Sequence, residues 1–277
     1  MKQIAKEILH QVIKPRNPDT HKYNYGRVLF IGGNQHYGGA AIMSAQAAVN
    51  SGAGLVTVAC DPINLSSLHS VVPEAVFQDY NDQKSLETIF LKSDVISIGS
   101  GLGTEAKSLS LLKMAFELVD HSQILIIDGS AFSLLADNQL NLPPASLILT
   151  PHQGEWQRYS GLQIDDQSSE NNQKVLSSLS HDPATLVLKK HRTEIYYGNM
   201  VWQNTSGNAS MATAGMGDTL AGMIAGFVAQ FSNHVEAVLA AVYLHGSIGD
   251  KLAQKQYVTT PSEIVKQISA EMKSSSI

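Results

Sequence analysis

The segment Gly215-Met216-Gly217-Asp218 is the part of this chain best suited to chemistry. It closes a run of small and polar residues that starts at Asn204 and leads without a break into an apolar helical pattern from Thr219. A glycine turn at a helix N-terminus lets backbone N–H groups converge, and the unpaired first-turn amides and the helix dipole favour an anion there. A phosphate group suits such a turn, with Gly217 as part of the cradle. Asp218 is then out of place, because a carboxylate beside bound phosphate is repelled unless it has a task of its own. In phosphoryl transfer that task is to accept the proton of the attacking hydroxyl. The competing reading is that Asp218 caps the helix, a role worth roughly 1 kcal/mol by itself. The local string leaves both open.

Other polar clusters follow apolar runs. Thr150-Pro151-His152-Gln153-Gly154-Glu155 follows Leu147 to Leu149, the place where open parallel sheets put ligands beyond the strands' carboxyl ends. His152 can reach a ligand there or serve as a structural hydrogen-bonding residue. Asp128 ends the run Ile124 to Ile127, facing the same edge or capping the helix pattern from Ser130. Lys189-Lys190-His191-Arg192-Thr193 reads, on its own, as a strand end with a solvated basic turn. Gly99-Ser100-Gly101-Leu102-Gly103 misses the G-x-G-x-x-G fingerprint because Thr104 holds the final position, which disfavours a hydride-transferring dinucleotide fold. At Gly38-Gly39-Ala40-Ala41 small residues admit either a ligand or close helix packing.

These clusters need a frame. Short β-branched runs at Val28 to Ile31, Leu55 to Ala59, Val95 to Ile98, Ile124 to Ile127, Leu147 to Leu149 and Leu186 to Leu188 predict buried strands. Helical stretches such as Ala40 to Val49, Ala106 to Val119 and Ser168 to Leu179 lie between them, implying crossovers and a mainly parallel sheet flanked by helices. Glu194 to Tyr197 and Val201 to Gln203, separated by Gly198-Asn199-Met200, predict an antiparallel hairpin at one edge of the sheet. The chain beyond is helical. We expect one domain over residues 1–277, with an N-terminal helical extension over 1–25, an amphipathic helix within Met1 to His10, and a fraying tail at 273–277.

Bulk properties narrow the function. Nineteen Lys and Arg against twenty-four Asp and Glu leave a formal charge of −5, which offers no broad reason to bind nucleic acid. No run approaches the roughly 20 apolar residues of a membrane span, and no signal-type apolar segment opens the chain. The single Cys60 sits in an apolar run and fits a reducing compartment, so a cytoplasmic protein without a membrane partner is expected. Zinc-protease, paired C-x-x-C, serine-hydrolase and Walker A strings are all missing from the sequence.

Taken in order, Gly32-Gly33-Asn34-Gln35-His36-Tyr37-Gly38-Gly39-Ala40-Ala41, Ser51 to Val56, Gly99 to Gly103, Asp128, Leu149 to Glu155, Leu188-Lys189 with Thr193, and Ala212 to Asp218 resemble the ADP-dependent NAD(P)H-hydrate dehydratases, a ribokinase-like family. The resemblance spans about Gly26 to Asp250. It implies a ribokinase-like three-layer α/β sandwich. It also implies repair of hydrated NADH or NADPH: ADP phosphorylates the ring hydroxyl, and elimination restores the cofactor with AMP and phosphate as the other products. ATP as donor, Mg²⁺ as the metal, a homotetramer, and an epimerase on a separate chain complete the implied set. Residue by residue, the resemblance makes Asp218 the catalytic carboxylate. It places Ala40 or Ala41, Gly103, His152 and Asp218 at the substrate, and Lys189, Lys190, His191, Arg192, Thr193 and Gly217 at the nucleotide. Glu155 is placed near the metal, directly or through water. The family usually has Gly where this chain has Lys190, so a less permissive backbone is expected there. The competing functions are an ATP-dependent kinase for a sugar or vitamin-precursor alcohol, and a nucleotide sensor without turnover.

Overall fold

The computed structural model describes residues 1–179 and 184–276. Among them, ten strands form one sheet: β1 (Lys2–Ile4), β2 (Arg27–Ile31), β3 (Leu55–Cys60), β4 (Val76–Asp79), β5 (Val95–Ile98), β6 (Ile124–Ile127), β7 (Ser146–Leu149), β8 (Thr185–Leu188), β9 (Glu194–Tyr197) and β10 (Met200–Asn204). Eleven α-helices are interleaved in the described residues. They are α1 (Glu7–Val12), α2 (Gly38–Asn50), α3 (Leu65–Val71), α4 (Gln83–Phe90), α5 (Ala106–Leu118), α6 (Ser130–Asp137), α7 (Gln153–Ser160), α8 (Ser169–Leu179), α9 (Met216–Val228), α10 (His234–Ala253) and α11 (Pro261–Ser275).

The spatial order is β1-β10-β9-β8-β7-β6-β5-β2-β3-β4, and every neighbouring pair is parallel except those made by β9. Strands buried on both faces read as continuous apolar runs, which is why β2, β3, β5, β6, β7 and β8 stand out in the sequence. Successive side chains feed opposite layers. Val28, Phe30, Ile124 and Ile126 pack with α1, α2, α9, α10 and α11, whereas Leu29, Ile31, Leu125 and Ile127 pack with α4 to α8. The result is the expected helix–sheet–helix sandwich. Cys60 is 1% exposed in the first of these layers, its thiol pushed up to about 12 by burial and by Asp61 and Asp79. No described helix is long and apolar enough to cross a membrane.

Three expectations about the periphery need correction. The hairpin of β9 and β10 does not form the edge, because Lys2, Gln3 and Ile4 pair in parallel with Trp202, Gln203 and Asn204. The first residues are therefore a strand, and the helix starts only at Glu7, since a ladder partner for the backbone outweighs the weak helical periodicity of so short a segment. At the other edge β4 adds a four-residue strand that the apolar pattern did not single out, with Val76 exposed and only Gln78 buried. The polar tail does not fray at Lys273: α11 continues to Ser275, which is 4% exposed and whose carbonyl lies 2.9 Å from His10 Nδ1.

α9 lies on α2 with almost no side chain between them. A Cβ on Gly222 would sit 2.1 Å from the Ser44 carbonyl oxygen, and one on Gly226 would sit 2.7 Å from the Ser51 Cβ. This close approach fixes where the N-terminus of α9 falls relative to the sheet.

Candidate active site

The strand order reverses direction between β2 and β5: β3 and β4 follow on one side, β5 to β8 on the other. In open α/β sheets the crevice beyond the carboxyl ends at such a switch point is where ligands bind. Here it is walled by the turn after β5, by Asp128, Thr150 and Lys189 after β6, β7 and β8, and by the first turn of α9.

Gly215, left-handed at φ 91°, is the N-cap of α9 and offers no side chain to it. Asp218 is therefore the third helical residue and not the cap, so the capping alternative for it falls. The amides of Met216 and Gly217 are in the first turn, where no intrahelical partner exists for them. Lys189 Nζ lies 3.2 Å from where a Cβ on Gly217 would be, so an ammonium group stands against the glycine turn.

Behind the turn runs a chain of polar contacts. Asp128 Oδ1 accepts from Lys189 Nζ at 2.7 Å and from Thr150 Oγ1 at 2.7 Å, while Oδ2 accepts from Ser100 Oγ at 3.3 Å. The Ser100 hydroxyl also lies in hydrogen-bonding reach of the Asp218 carboxylate, and Ser44 Oγ is 3.1 Å from Ser100 Oγ and 2.9 Å from the Asp218 carbonyl oxygen. Asp128 does not cap α6, whose N-cap is Gly129 without a side-chain bond.

Electrostatics follow from burial in this cluster. The Asp218 carboxyl is pushed up to about 6 by burial and by the charge of Asp128, against the opposing pull of Ser100 and Lys189. Glu155 is pushed up to about 7, again mainly by burial, with Lys189 and the His152 amide opposing. Burial alone would lower the proton affinity of Lys189, but Asp128 and Glu155, together with Asp218, more than offset it, and its affinity for the proton lies above the ordinary value. The crevice thus holds a charged lysine facing a carboxylate tuned toward neutral pH, the pairing that phosphoryl transfer needs.

His152 has a second task that its sequence context left open. Its Nδ1 accepts the amides of Gly154 at 3.0 Å and Glu155 at 3.1 Å, and Glu155 Oε2 accepts the His152 amide at 2.8 Å, a capping box at the start of α7. An accepting Nδ1 puts the neutral ring's proton on Nε2, 3.4 Å from Glu155 Oε1. The imidazole, its side chain 60% exposed, holds its proton less readily than usual through burial of the ring atoms and the Lys189 charge.

The remaining expected residues divide. Ala40 is partly exposed beside the Gly101 turn, whereas Ala41 is 1% exposed in the core against Gly33, which separates two residues the sequence could not. Gly103 lies in the crevice wall, its amide donating to Ser130 Oγ at 2.9 Å. Lys190 turns away: its Nζ pairs with Glu194 Oε1 at 2.8 Å, within a buried set that includes Tyr196 and Asn172. It also carries no backbone penalty, because the left-handed residue of the turn is Arg192 at φ 65°. Arg192 Nη1 donates to the Thr205 carbonyl at 2.5 Å; His191 is exposed and Thr193 half-buried. Of the basic segment, Lys189 is the residue brought into the carboxylate cluster. The sequence left Asp128 between the ligand edge and a helix cap and gave Thr150 and Ser100 no role of their own, although Asp128 and Thr150 are the first polar residues after apolar strands that run level with each other.

Comparison with known proteins agrees with this geometry. The NAD(P)H-hydrate dehydratase family matches residues 28–270. A protein of Lactiplantibacillus plantarum named ADP-dependent (S)-NAD(P)H-hydrate dehydratase is 48% identical over 98% of this chain and 97% of its own. A solved ribokinase-like superfamily protein of Enterococcus faecalis superposes with a TM-score of 0.97 at 46% identity, covering 100% of this chain and 96% of that one. The ADP/ATP-dependent NAD(P)H-hydrate dehydratase of Bacillus subtilis, co-crystallised with ATP/Mg²⁺, gives a TM-score of 0.82 at 25% identity over 98% of both chains. Sheet order, switch-point crevice and glycine turn together define a ribokinase-like α/β protein. Within that class, the chain belongs to the NAD(P)H-hydrate dehydratase family.

Proposed function

We propose that this protein is an ADP-dependent (S)-NAD(P)H-hydrate dehydratase, which restores NADH or NADPH from the hydrated cofactor and yields AMP and phosphate. The observation that carries the reading is Asp218 in the first turn of α9, its proton affinity raised by burial, next to the Gly217 amide and the charged Lys189. In this arrangement the phosphate turn and Lys189 hold the transferring phosphoryl group, and Asp218 takes the proton of the ring hydroxyl as the new P–O bond forms. Loss of that phosphate with a ring proton then regenerates the dihydronicotinamide. Ala40, Gly103 and His152 are the substrate contacts.

Mg²⁺ fits here only as a companion of the nucleotide. No group of three described His, Cys, Asp or Glu residues is arranged to hold a metal, and Mg²⁺ usually takes one or two carboxylates plus substrate phosphates and water. Both Glu155 oxygens face His152, so Glu155 would reach the ion through water. Magnesium would neutralise charge on the phosphates as the phosphoryl group passes. A cytoplasmic homotetramer with an epimerase on a separate chain completes the reading.

The test is to mix the protein with hydrated NADH, Mg²⁺ and ADP or ATP and follow the return of the reduced-nicotinamide absorbance. Recovery with ADP and Mg²⁺ is expected. No recovery above a protein-free control refutes the reading, and a stable phosphate ester of a sugar or vitamin precursor as the only product would identify a kinase instead.

A base that titrates near 6 also sets the pH dependence. Asp218 must be ionised to accept a proton, so kcat/KM should be flat above about pH 7 and fall as pH drops through about 6, rather than through the ordinary carboxylate range near 4. A rate that holds to pH 4.5 would contradict the assignment.

His152 calls for a pair of substitutions. His152→Ala removes both the cap and the substrate contact, costing roughly 1 kcal/mol of stability. His152→Asn restores a capping side chain without the imidazole. We expect the Asn variant to melt like the parent yet bind the hydrated cofactor several-fold more weakly than it binds ADP, as loss of one hydrogen bond would give. Parental affinity for the hydrated cofactor in the Asn variant would leave His152 as a cap alone.

A further inference from the structure

Asp128 is the most deeply buried carboxylate of the crevice, 2% exposed, and the phosphoryl-transfer reading gives it no task. A buried carboxylate is costly unless hydrogen-bonded on all sides, and this one is held by Lys189, Thr150 and Ser100. Its place is rigid. The Asp128 amide donates to the Ile98 carbonyl at 3.0 Å and the Thr150 amide to the Ile127 carbonyl at 3.0 Å, so both extend the strand ladders. Lys189 is the flexible member, a point charge on a four-carbon stem in the field of three carboxylates: Asp128, Glu155 and Asp218. Which of them it pairs with decides what it can do. Paired with Asp218, it would tie up the proton acceptor. Paired with Asp128, it stands against Gly217 and leaves Asp218 free.

We infer that Asp128 is a positioning residue that holds the Lys189 ammonium beside Gly217 and away from Asp218, so that the cation meets phosphate and the carboxylate meets hydroxyl. The inference rests on the nucleotide-side reading of Lys189 and the base role of Asp218. Thr150 belongs to the same device, fixing the Asp128 oxygen that receives Lys189.

The sign of one binding change separates this role from simple charge. Asp128 is an anion near a phosphate site, so by Coulomb repulsion alone Asp128→Asn would tighten ADP binding. If Asp128 acts through Lys189, the same substitution lets Lys189 swing to Asp218 and weakens ADP. The experiment is a double-mutant cycle with Lys189→Met, read as Mg²⁺–ADP affinity by calorimetry on the full chain, with each variant held below its melting temperature. We expect Asp128→Asn to weaken binding about 10-fold in the parent, and to leave it within about 2-fold or tighten it once Lys189 is Met, a coupling of the size seen between contacting residues. Tighter or unchanged binding in the single variant overturns the inference, as does equal weakening in both backgrounds.

Thr150→Val keeps every charge and tests the same device should the Lys189 variant not fold. Its expected effect is about 3-fold weaker ADP binding with little loss of melting temperature, as for one hydrogen bond; unchanged affinity counts against the inference. ADP binding does not need the hydrated cofactor. A parent that binds ADP but restores no NADH therefore fails the dehydratase reading alone, whereas the wrong sign for Asp128→Asn fails only the positioning role.

Discussion

Asp218→Asn should lower turnover by about 100-fold or more, the usual scale for losing a positioned general base, while leaving the fold and ADP binding in place. The substitution keeps the size of the side chain and an oxygen within reach of Ser100, and removes only the basicity and the charge. Because the N-cap of α9 is Gly215, the helix has no cap to lose at this position. ADP should bind at least as tightly, since a carboxylate beside the phosphates has gone. Single-turnover recovery of NADH at saturating ADP, with ADP affinity measured in parallel, checks both halves. Near-parental turnover would remove Asp218 from the chemistry, and a matching loss of ADP affinity would make it a nucleotide ligand instead.

Gly222→Val should be strongly damaging although it lies outside the crevice. Even its Cβ would stand 2.1 Å from the Ser44 carbonyl oxygen, a backbone atom that cannot rotate aside, so α9 must move off α2. Overpacking of this kind costs about 3 kcal/mol, at the upper end of its range. For a domain of this size that is a fall in melting temperature of roughly 6 °C or more. The same displacement carries Asp218 with it, because Ser44 Oγ holds the Asp218 carbonyl at 2.9 Å, so activity should fall further than stability alone explains. Gly39→Ala is the control for stability: nothing lies within 4 Å of the added Cβ in the first turn of α2, and the change should be neutral or mildly stabilising. A Gly222→Val protein melting within about 2 °C of the parent would show that the two helices can separate at little cost.

How far these features were readable depended on the distance over which each is decided. Six core strands were visible because strands buried on both faces leave unbroken apolar runs, as in Ile124-Leu125-Ile126-Ile127. Gly217 and Asp218 were visible because turn, helix start and acid lie within four residues. The Asp128–Lys189 pair was not, since its members are 61 residues apart and each has an ordinary local explanation, a helix cap and a basic turn. His152 was seen as a candidate ligand but not as the capping residue of α7, because His is not among the usual N-caps and the two accepted amides exist only once the turn has formed. Lys190 was drawn into the nucleotide segment by its neighbours, and only the strand pairing of β9 reveals Glu194 as its partner.

The pairing of Lys2 to Ile4 with Trp202 to Asn204 also has a bearing on synthesis. A ribosome that has made β1 must add about 200 more residues to reach Trp202, the partner of Lys2, about 10–40 s at about 5–20 residues per second. For that interval β1 is without its ladder partner. The β1 edge of the sheet is therefore closed by a strand made long before its partner, and cargo fused ahead of Lys2 would have to leave that pairing unobstructed.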